Sequence, residues 1–291
     1  MEVWINNMRK FGLITNAYKD KGLVFTHKIA NYIRSKGGEA VCISERDGII
    51  IDYEKMDYSD IPEGLDCLMV LGGDGTLIRV ATGSRKSHVP LIGVNLGTLG
   101  YLCELEEDTV FAAVDSLMDG EYKIDERMML KGKRPTEEHG KSALNDVVIH
   151  RSGDLSVLSL LVYVNGEFLT TYDADGIIVS TPTGSTGYNL SAGGPIVDPK
   201  AKMILLTPIN AHNLNSRSIV LSSDDEIEIE IGSRRYQKDE VASVSCDGDK
   251  IAELTVGDRF TITRSNHIIK ICKLNKRSFL EILSKKMGSY T

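Results

Sequence analysis

The sequence predicts an α/β N-terminal domain with a parallel sheet, followed by a β-rich second domain that is antiparallel and sandwich-like. Three observations carry this. Up to Gly120, short apolar runs alternate with helical or polar segments, the grammar of parallel strands covered on both faces. Beyond Glu121 the runs read as strands separated by turn residues. The clearest is Leu158–Val164, Asn165-Gly166 and Glu167–Leu169, where Asn-Gly supplies the two positive-φ positions of a type I′ hairpin turn. Third, the apolar stretch Leu68–Leu71 ends abruptly in Gly72-Gly73-Asp74-Gly75, and helical spacing begins at Thr76-Leu77-Ile78-Arg79-Val80. That is a strand, a tight loop and a helix in succession.

In chain order, Phe11–Asn16 is the first expected strand. A helix follows over Val24–Ile33 on the spacing of Val24, Ala30 and Ile33, stopped by Gly37-Gly38. Ala40–Ile43, Leu65–Leu71 and Pro90–Val94 are the next strands, and Asp108–Met118 is an amphipathic helix closed by Asp119-Gly120. In the second domain Glu226–Ile231 alternates perfectly, so one face is dry and one wet. Val241–Cys246, Ile251–Leu254, Arg259–Thr263 and Ile268–Cys272 continue the antiparallel pattern, with Asp247-Gly248-Asp249 as a turn. Ser278–Leu283 returns to helical spacing. The expected division is therefore residues 1–122, residues 123–272, and a segment 273–291 that returns to the first domain.

The 291 residues are 42% hydrophobic, enough for two cores. A formal net charge of −7 argues against a nucleic-acid surface as the main business, so an anionic substrate must be met by local donors. The five cysteines are scattered and form no Cys-x-x-Cys, which points to reduced thiols and a cytoplasmic protein, with neither a disulfide framework nor a zinc knuckle. No apolar run approaches ~20 residues, so no membrane span is expected.

Glycines let another molecule approach the backbone, and the first amides of a helix are suited to a phosphate. The Gly72–Gly75 loop is neither a Walker loop nor Gly-x-Gly-x-x-Gly, because its central residue is an acid. An acid at the lip of a phosphate loop suggests chemistry; the plain alternative is that Asp74 caps the helix. A second constellation, Asp173 to Pro195, places Thr181, Thr183, Ser185, Thr186 and Tyr188 among glycines. So many hydroxyls suit a polyol or nucleoside better than an apolar ligand.

In that order, Gly72–Thr76, Asn95–Leu102, Leu144–Val148 and Asp175–Pro195 resemble the motifs of the NAD kinase family. The resemblance implies transfer of a phosphoryl group from ATP, or from polyphosphate in some members, to the 2′-hydroxyl of the adenosine ribose of NAD. It also implies a divalent cation, Mg²⁺ or Mn²⁺, and a homo-oligomer, dimer or tetramer. A ribose hydroxyl needs a proton acceptor as the new bond forms, and Asp74 is the candidate base. Gly75 and Arg79 would steady the phosphoryl group; Arg79 reads equally well as a solvated charge. Asn145 and Asp146 resemble the pair that holds the adenosine of NAD, and Thr186, Gly187, Tyr188, Asn189, Leu190 and Ser191 resemble its adenine-side loop. Asp175 would receive the second nucleoside. Asp173 stands where some members carry a basic residue and bears on binding of a 2′-phosphate. Asn210 completes the expected set, in a loop where Ala211 and Ser218 replace the family's usual prolines. His212 reads as structural.

Other enzymes share a Gly-Gly-Asp-Gly loop. A lipid or diacylglycerol kinase should lack the hydroxyl loop, and a sugar kinase is separated by assay with fructose 6-phosphate.

Overall fold

The computed structural model describes residues 7–84, 88–98, 100–153, 157–212, 216–233, 241–274 and 278–288. Leu99 of the second motif, residues 213–215 of the loop beyond Asn210, and residues 275–277 and 289–291 of the final segment lie outside the described residues. The chain forms two compact units, Met1–Glu126 with Ile269–Thr291, and Arg127–Ile268.

The first unit is a parallel sheet with helices. Its elements are β1 (Lys10–Thr15), α1 (Val24–Ser35), β2 (Glu39–Cys42), the two-residue hairpin β3 (Glu45–Arg46) and β4 (Ile49–Ile50), β5 (Cys67–Gly72), α2 (Asp74–Gly83), β6 (Leu91–Asn95), β7 (Leu105–Glu106) and α3 (Val110–Met118). Strands run in the order β2-β1-β5-β6, all parallel, with β7 beside the end of β6. Every residue of β5 and β6 is buried, as expected of strands covered on both faces. The chain leaves β1 to one side for β2 and to the other for β5, so the order reverses between β1 and β5. Open α/β sheets bind ligands at such a reversal, beyond the carboxyl ends of the strands.

One expectation in this unit fails. Val24 is 57% exposed, and the buried stripe of α1 is Thr26, Ile29, Ala30 and Ile33. Leu23, just before the helix, takes a left-handed φ of 54° and is itself fully buried, which rotates Val24 outward.

The second unit contains β8 (Lys123–Lys133) from Arg127 onward, β9 (Lys141–Ala143), β10 (Asp146–Arg151), β11 (Leu158–Val164), β12 (Glu167–Ala174), β13 (Gly176–Ser180), the short α4 (Tyr188–Ser191), β14 (Met203–Ile209), β15 (Ile219–Ser222), β16 (Ile227–Ile231), β17 (Val241–Cys246), β18 (Asp249–Thr255) and most of β19 (Arg259–Lys273). One antiparallel layer is β15-β14-β13-β10-β17-β18; another is β12-β11-β16 with the start of β19. Val147, Ile177, Leu206 and Val244 of the first layer share one core with Leu160, Val162, Ile229 and Phe260 of the second, which makes this unit a sandwich.

The Asn165-Gly166 turn has φ of 53° and 81°, the two positive values the hairpin reading required. In β16 Ile227, Ile229 and Ile231 are buried, while Glu228 and Glu230 each pair with Arg259 at 2.6 and 2.7 Å. The two strands expected at Arg259–Thr263 and Ile268–Cys272 are one continuous strand, β19. Its buried positions change parity between Ile262 and Ser265, so the polar interruption that reads as a turn is a shift of facing within a strand. The closing helix α5 (Phe279–Gly288) belongs to the first unit. Ser278 and Glu281 bond each other's backbone amides at its start, a capping box. Among the described residues no helix is long and apolar enough to cross a membrane.

Candidate active site

In the first unit β5 delivers the chain to Gly72, and α2 begins directly at Asp74 with Gly73 as its N-cap. A Cβ on Gly72 would lie 2.5 Å from Thr76 Oγ1, so glycine is what lets the first turn of α2 fold against the strand end. The helix starts two residues earlier than its apolar spacing suggests, because Asp74 and Gly75 hide that spacing.

Asp74 does not cap α2. Its Oδ2 accepts the Tyr101 amide at 2.5 Å, and Oδ1 accepts those of Leu102 and Cys103, each at 3.1 Å. The first two motifs, distant in sequence, thus meet at this carboxylate. Gly100 makes the meeting possible, since a Cβ there would stand 2.0 Å from Asp74 Oδ1. A carboxylate offers about four lone-pair sites, and backbone amides take three of them. Burial, followed by the nearby charge of Asp74, pushes the Cys103 thiol well above its usual range. Gly75 is exposed, and a Cβ there would meet nothing within 4 Å, so its backbone is open to a ligand.

Arg79 lies five residues on, about 140° around the helix from Asp74, and its Nη2 donates to the Glu54 carbonyl at 3.0 Å. A cation that sequence inspection missed also reaches the loop. Lys19 Nζ donates to the Gly72 carbonyl at 3.1 Å. Nothing in the motif marks Lys19, which follows β1 by a few residues and is positioned by the sheet.

In the second unit, the third and fourth motifs meet in the same way. Asp146 faces Ser180 across β10 and β13. The Asn145 carbonyl accepts the Thr181 amide at 2.8 Å, and the Leu144 carbonyl accepts the Thr181 hydroxyl at 2.6 Å. A Cβ on Gly184 would lie 2.2 Å from the Asn145 carbonyl oxygen, which ties that glycine to close packing. Asp247, read from sequence only as a turn residue, holds this corner. Its carboxylate accepts the amides of Leu144, Asn145 and Asp146 at 2.7, 2.8 and 3.2 Å. Asp146 is 6% exposed, and burial followed by the charge of Asp247 pushes its carboxyl up to about 7. Asn145 Oδ1 is buried and lacks a hydrogen-bond partner among the described residues. An unfilled acceptor next to such an acid suits a ligand carrying N–H or O–H donors.

The hydroxyl loop is spent largely on itself. Thr181 and Ser185 are fully buried and Thr183 nearly so. Ser185 Oγ donates to the Pro182 carbonyl and accepts the Val197 amide, while buried Arg127, also unremarked in the sequence, donates to Thr183 Oγ1 at 3.3 Å. Asn189 is sealed as well: Nδ2 donates to the Ser185 and Pro195 carbonyls, and Oδ1 accepts from Thr207. Its side chain locks the loop, its donors taken by two carbonyls of the surrounding turns. Tyr188, Leu190 and Ser191 of α4 are exposed, and Thr186 and Gly187 are half-buried.

Asp175 lies at the bend after β12, 3.4 Å from Arg151 and accepting from Asn210 Nδ2 at 3.0 Å. Asn210 holds a left-handed φ of 47°. Tyr172 and Ala174 take the core side of β12, so Asp173 and Asp175, both half-buried, share the opposite side.

Residues 11–122 match the ATP-NAD kinase N-terminal domain and residues 144–274 the ATP-NAD kinase C-terminal domain. The chain is 62% identical over 284 residues to an NAD kinase of Agathobacter rectalis, covering 98% of this chain and 100% of that one. It is 43% identical to an NAD kinase of Lachnospira eligens, covering 96% and 100%. Among solved structures its fold is similar to yeast NADH kinase complexed with NADH, at TM-score 0.82, 24% identity and 98% and 89% coverage. It is similar also to an NAD kinase from Archaeoglobus fulgidus in complex with ATP, at TM-score 0.74, 21% identity and 94% and 99% coverage. With both domain models and full-length relatives in agreement, the chain belongs to the NAD kinase family.

Proposed function

We propose that this chain transfers the terminal phosphoryl group of ATP to the 2′-hydroxyl of the adenosine ribose of NAD, giving NADP and ADP. The observation that carries the proposal is Asp74, a carboxylate at the end of the glycine loop fixed in place by the three amides of Tyr101, Leu102 and Cys103. As the ribose oxygen bonds to phosphorus, the hydroxyl proton passes to that carboxylate, and the bridging oxygen leaves on ADP with its bonding electrons. The open backbone at Gly75 and the first amides of α2 stabilise charge on the transferred group.

Asn145 Oδ1 and Asp146 are the groups proposed to receive the adenosine of NAD, with α4 and Thr186 beside its base. Asp175, braced by Arg151 and Asn210, is proposed for the second nucleoside. Asp173, on the same side of β12, bears on a 2′-phosphate.

A divalent cation, Mg²⁺ or Mn²⁺, belongs to the same reading. Among the described residues no group of three or more His, Cys, Asp or Glu side chains is arranged to hold a metal. Such an ion would ride on the phosphates of ATP with water completing its shell. A cytoplasmic homo-oligomer is the expected setting. The test is NADP formation from NAD or NADH with ATP or polyphosphate, alongside fructose 6-phosphate. Phosphorylation of the sugar and not of NAD would overturn the proposal.

A further inference from the structure

We propose that Lys19 is a phosphate-binding residue of the phosphoryl-transfer loop, its ammonium taking oxygens of the transferred group. The inference rests on ATP being the donor.

Its place in the fold is the first argument. Lys19 lies in the turn after β1, and the glycine loop lies after β5, so the two face each other at the reversal of strand order. The turn is built to hold it there. The Asn16 carbonyl accepts the Lys19 and Asp20 amides, and Asn16 Oδ1 accepts that of Tyr18. The buried Asp20 carboxylate accepts the amides of Phe25 and Thr26 at the start of α1.

The ammonium is the second argument. It carries three donors, and among the described residues it uses one, toward the Gly72 carbonyl at 3.1 Å. A Cβ on Gly73 would lie 3.1 Å from Nζ, and one on Gly97 would lie 3.4 Å away. Three loops, after β1, β5 and β6, therefore close on one cation. Lys19 is exposed, so a ligand can reach its remaining donors.

Asn95 supplies an independent observation. It is 4% exposed, and its Nδ2 donates to the Gly97 carbonyl at 3.0 Å. Its Oδ1 is buried without a partner among the described residues and lies 3.9 Å from the Cβ position of Gly73. A buried acceptor is costly to leave unfilled. A hydrated phosphate at Gly73 meets both needs, its oxygens accepting from Lys19 and its water donating to Asn95. In the transfer the ribose oxygen bonds to phosphorus as the bridging oxygen departs on ADP, and Lys19 balances charge on the non-bridging oxygens.

The experiment uses the full chain with Lys19→Met and Lys19→Arg. Lys19→Met is expected to lower kcat/KM for ATP by ~10²-fold, the range for removal of one preorganised charge stabiliser, with KM for NAD within about two-fold. Lys19→Arg should recover part of the loss. In direct titrations Lys19→Met should weaken ATP more than ADP, and ADP more than AMP. A kcat/KM for ATP within about three-fold of wild type, or equal weakening of ATP and AMP with a lowered Tm, would overturn the proposal and leave Lys19 a brace for the Gly72 carbonyl. If the wild-type chain makes no NADP, the activity reading fails separately, and the ATP-against-AMP titration still decides the role of Lys19.

Discussion

Gly100 and Asp74 are matched so closely that a Cβ on the glycine would stand 2.0 Å from Oδ1 and 2.4 Å from Cγ of the acid. Gly100 carries the chain into the Tyr101–Cys103 turn that holds the carboxylate. Gly100→Ala must displace either the turn or the acid. The expected outcome is a fall in kcat of ~10²-fold, comparable to misplacing a catalytic group by an ångström, with KM for NAD little changed. Steady-state kinetics decide it, and wild-type kcat would show that Asp74 tolerates displacement.

Asp74→Asn removes the proton acceptor and one hydrogen-bond acceptor together. An amide cannot accept from Tyr101 N–H where its own NH₂ now stands, so about 1–3 kcal/mol of stability is expected to go with the unpaired amide. Loss of the base should lower kcat by ~10²-fold or more. The two effects separate by melting and by turnover. A variant that melts lower yet turns over within a few-fold of wild type would make Asp74 a loop-shaping residue.

Asp146 makes stability fall as pH rises. Its carboxyl is pushed up to about 7 by burial and by the charge of Asp247, above the unfolded value of about 3.9. Between those values the folded chain holds the extra proton, so this residue's contribution is lost as pH climbs through the folded value. Asp146→Asn should therefore raise Tm relative to wild type at pH 8, and the gain should shrink toward pH 5. A difference that stays flat across the series would mean that Asp146 is not held protonated by its surroundings.

Asn145→Ala leaves the backbone contacts to Thr181 and Asp247 in place and deletes an acceptor that has no partner among the described residues. Stability should change little. KM for NAD should rise about five-fold, the equivalent of one neutral hydrogen bond of about 1 kcal/mol. A rise confined to KM for ATP would reassign this corner to the other nucleotide.

Much of this was legible in the chain, for reasons of period and punctuation. Leu68–Leu71 could only be a strand buried on both faces, Asn165-Gly166 could only turn back on itself, and Glu226–Ile231 declared its dry side through alternating isoleucines. The glycine motifs were visible because glycine marks places where something must come close. Positions whose meaning depends on a distant partner were not legible. Val24 looks like a core residue until Leu23 takes the core position. The hydroxyls of Thr181 and Ser185, and the amide of Asn189, look like ligand donors until the carbonyls of Leu144, Pro182 and Pro195 claim them.

The sequence by itself determined the alternation of strands and helices in the first part, the antiparallel β character of the second, and the identity of the acid in the loop, since these follow from local periodicity and from the glycines that flank the acid. Tertiary structure alone decided what Asp74 touches, that Lys19 reaches the loop, and that Asp247 charges the surroundings of Asp146. Each of these is a contact between segments brought together by parallel crossovers or antiparallel pairing. Hydrogen-bond reach is only about 3 Å, far below what spacing along a chain can resolve.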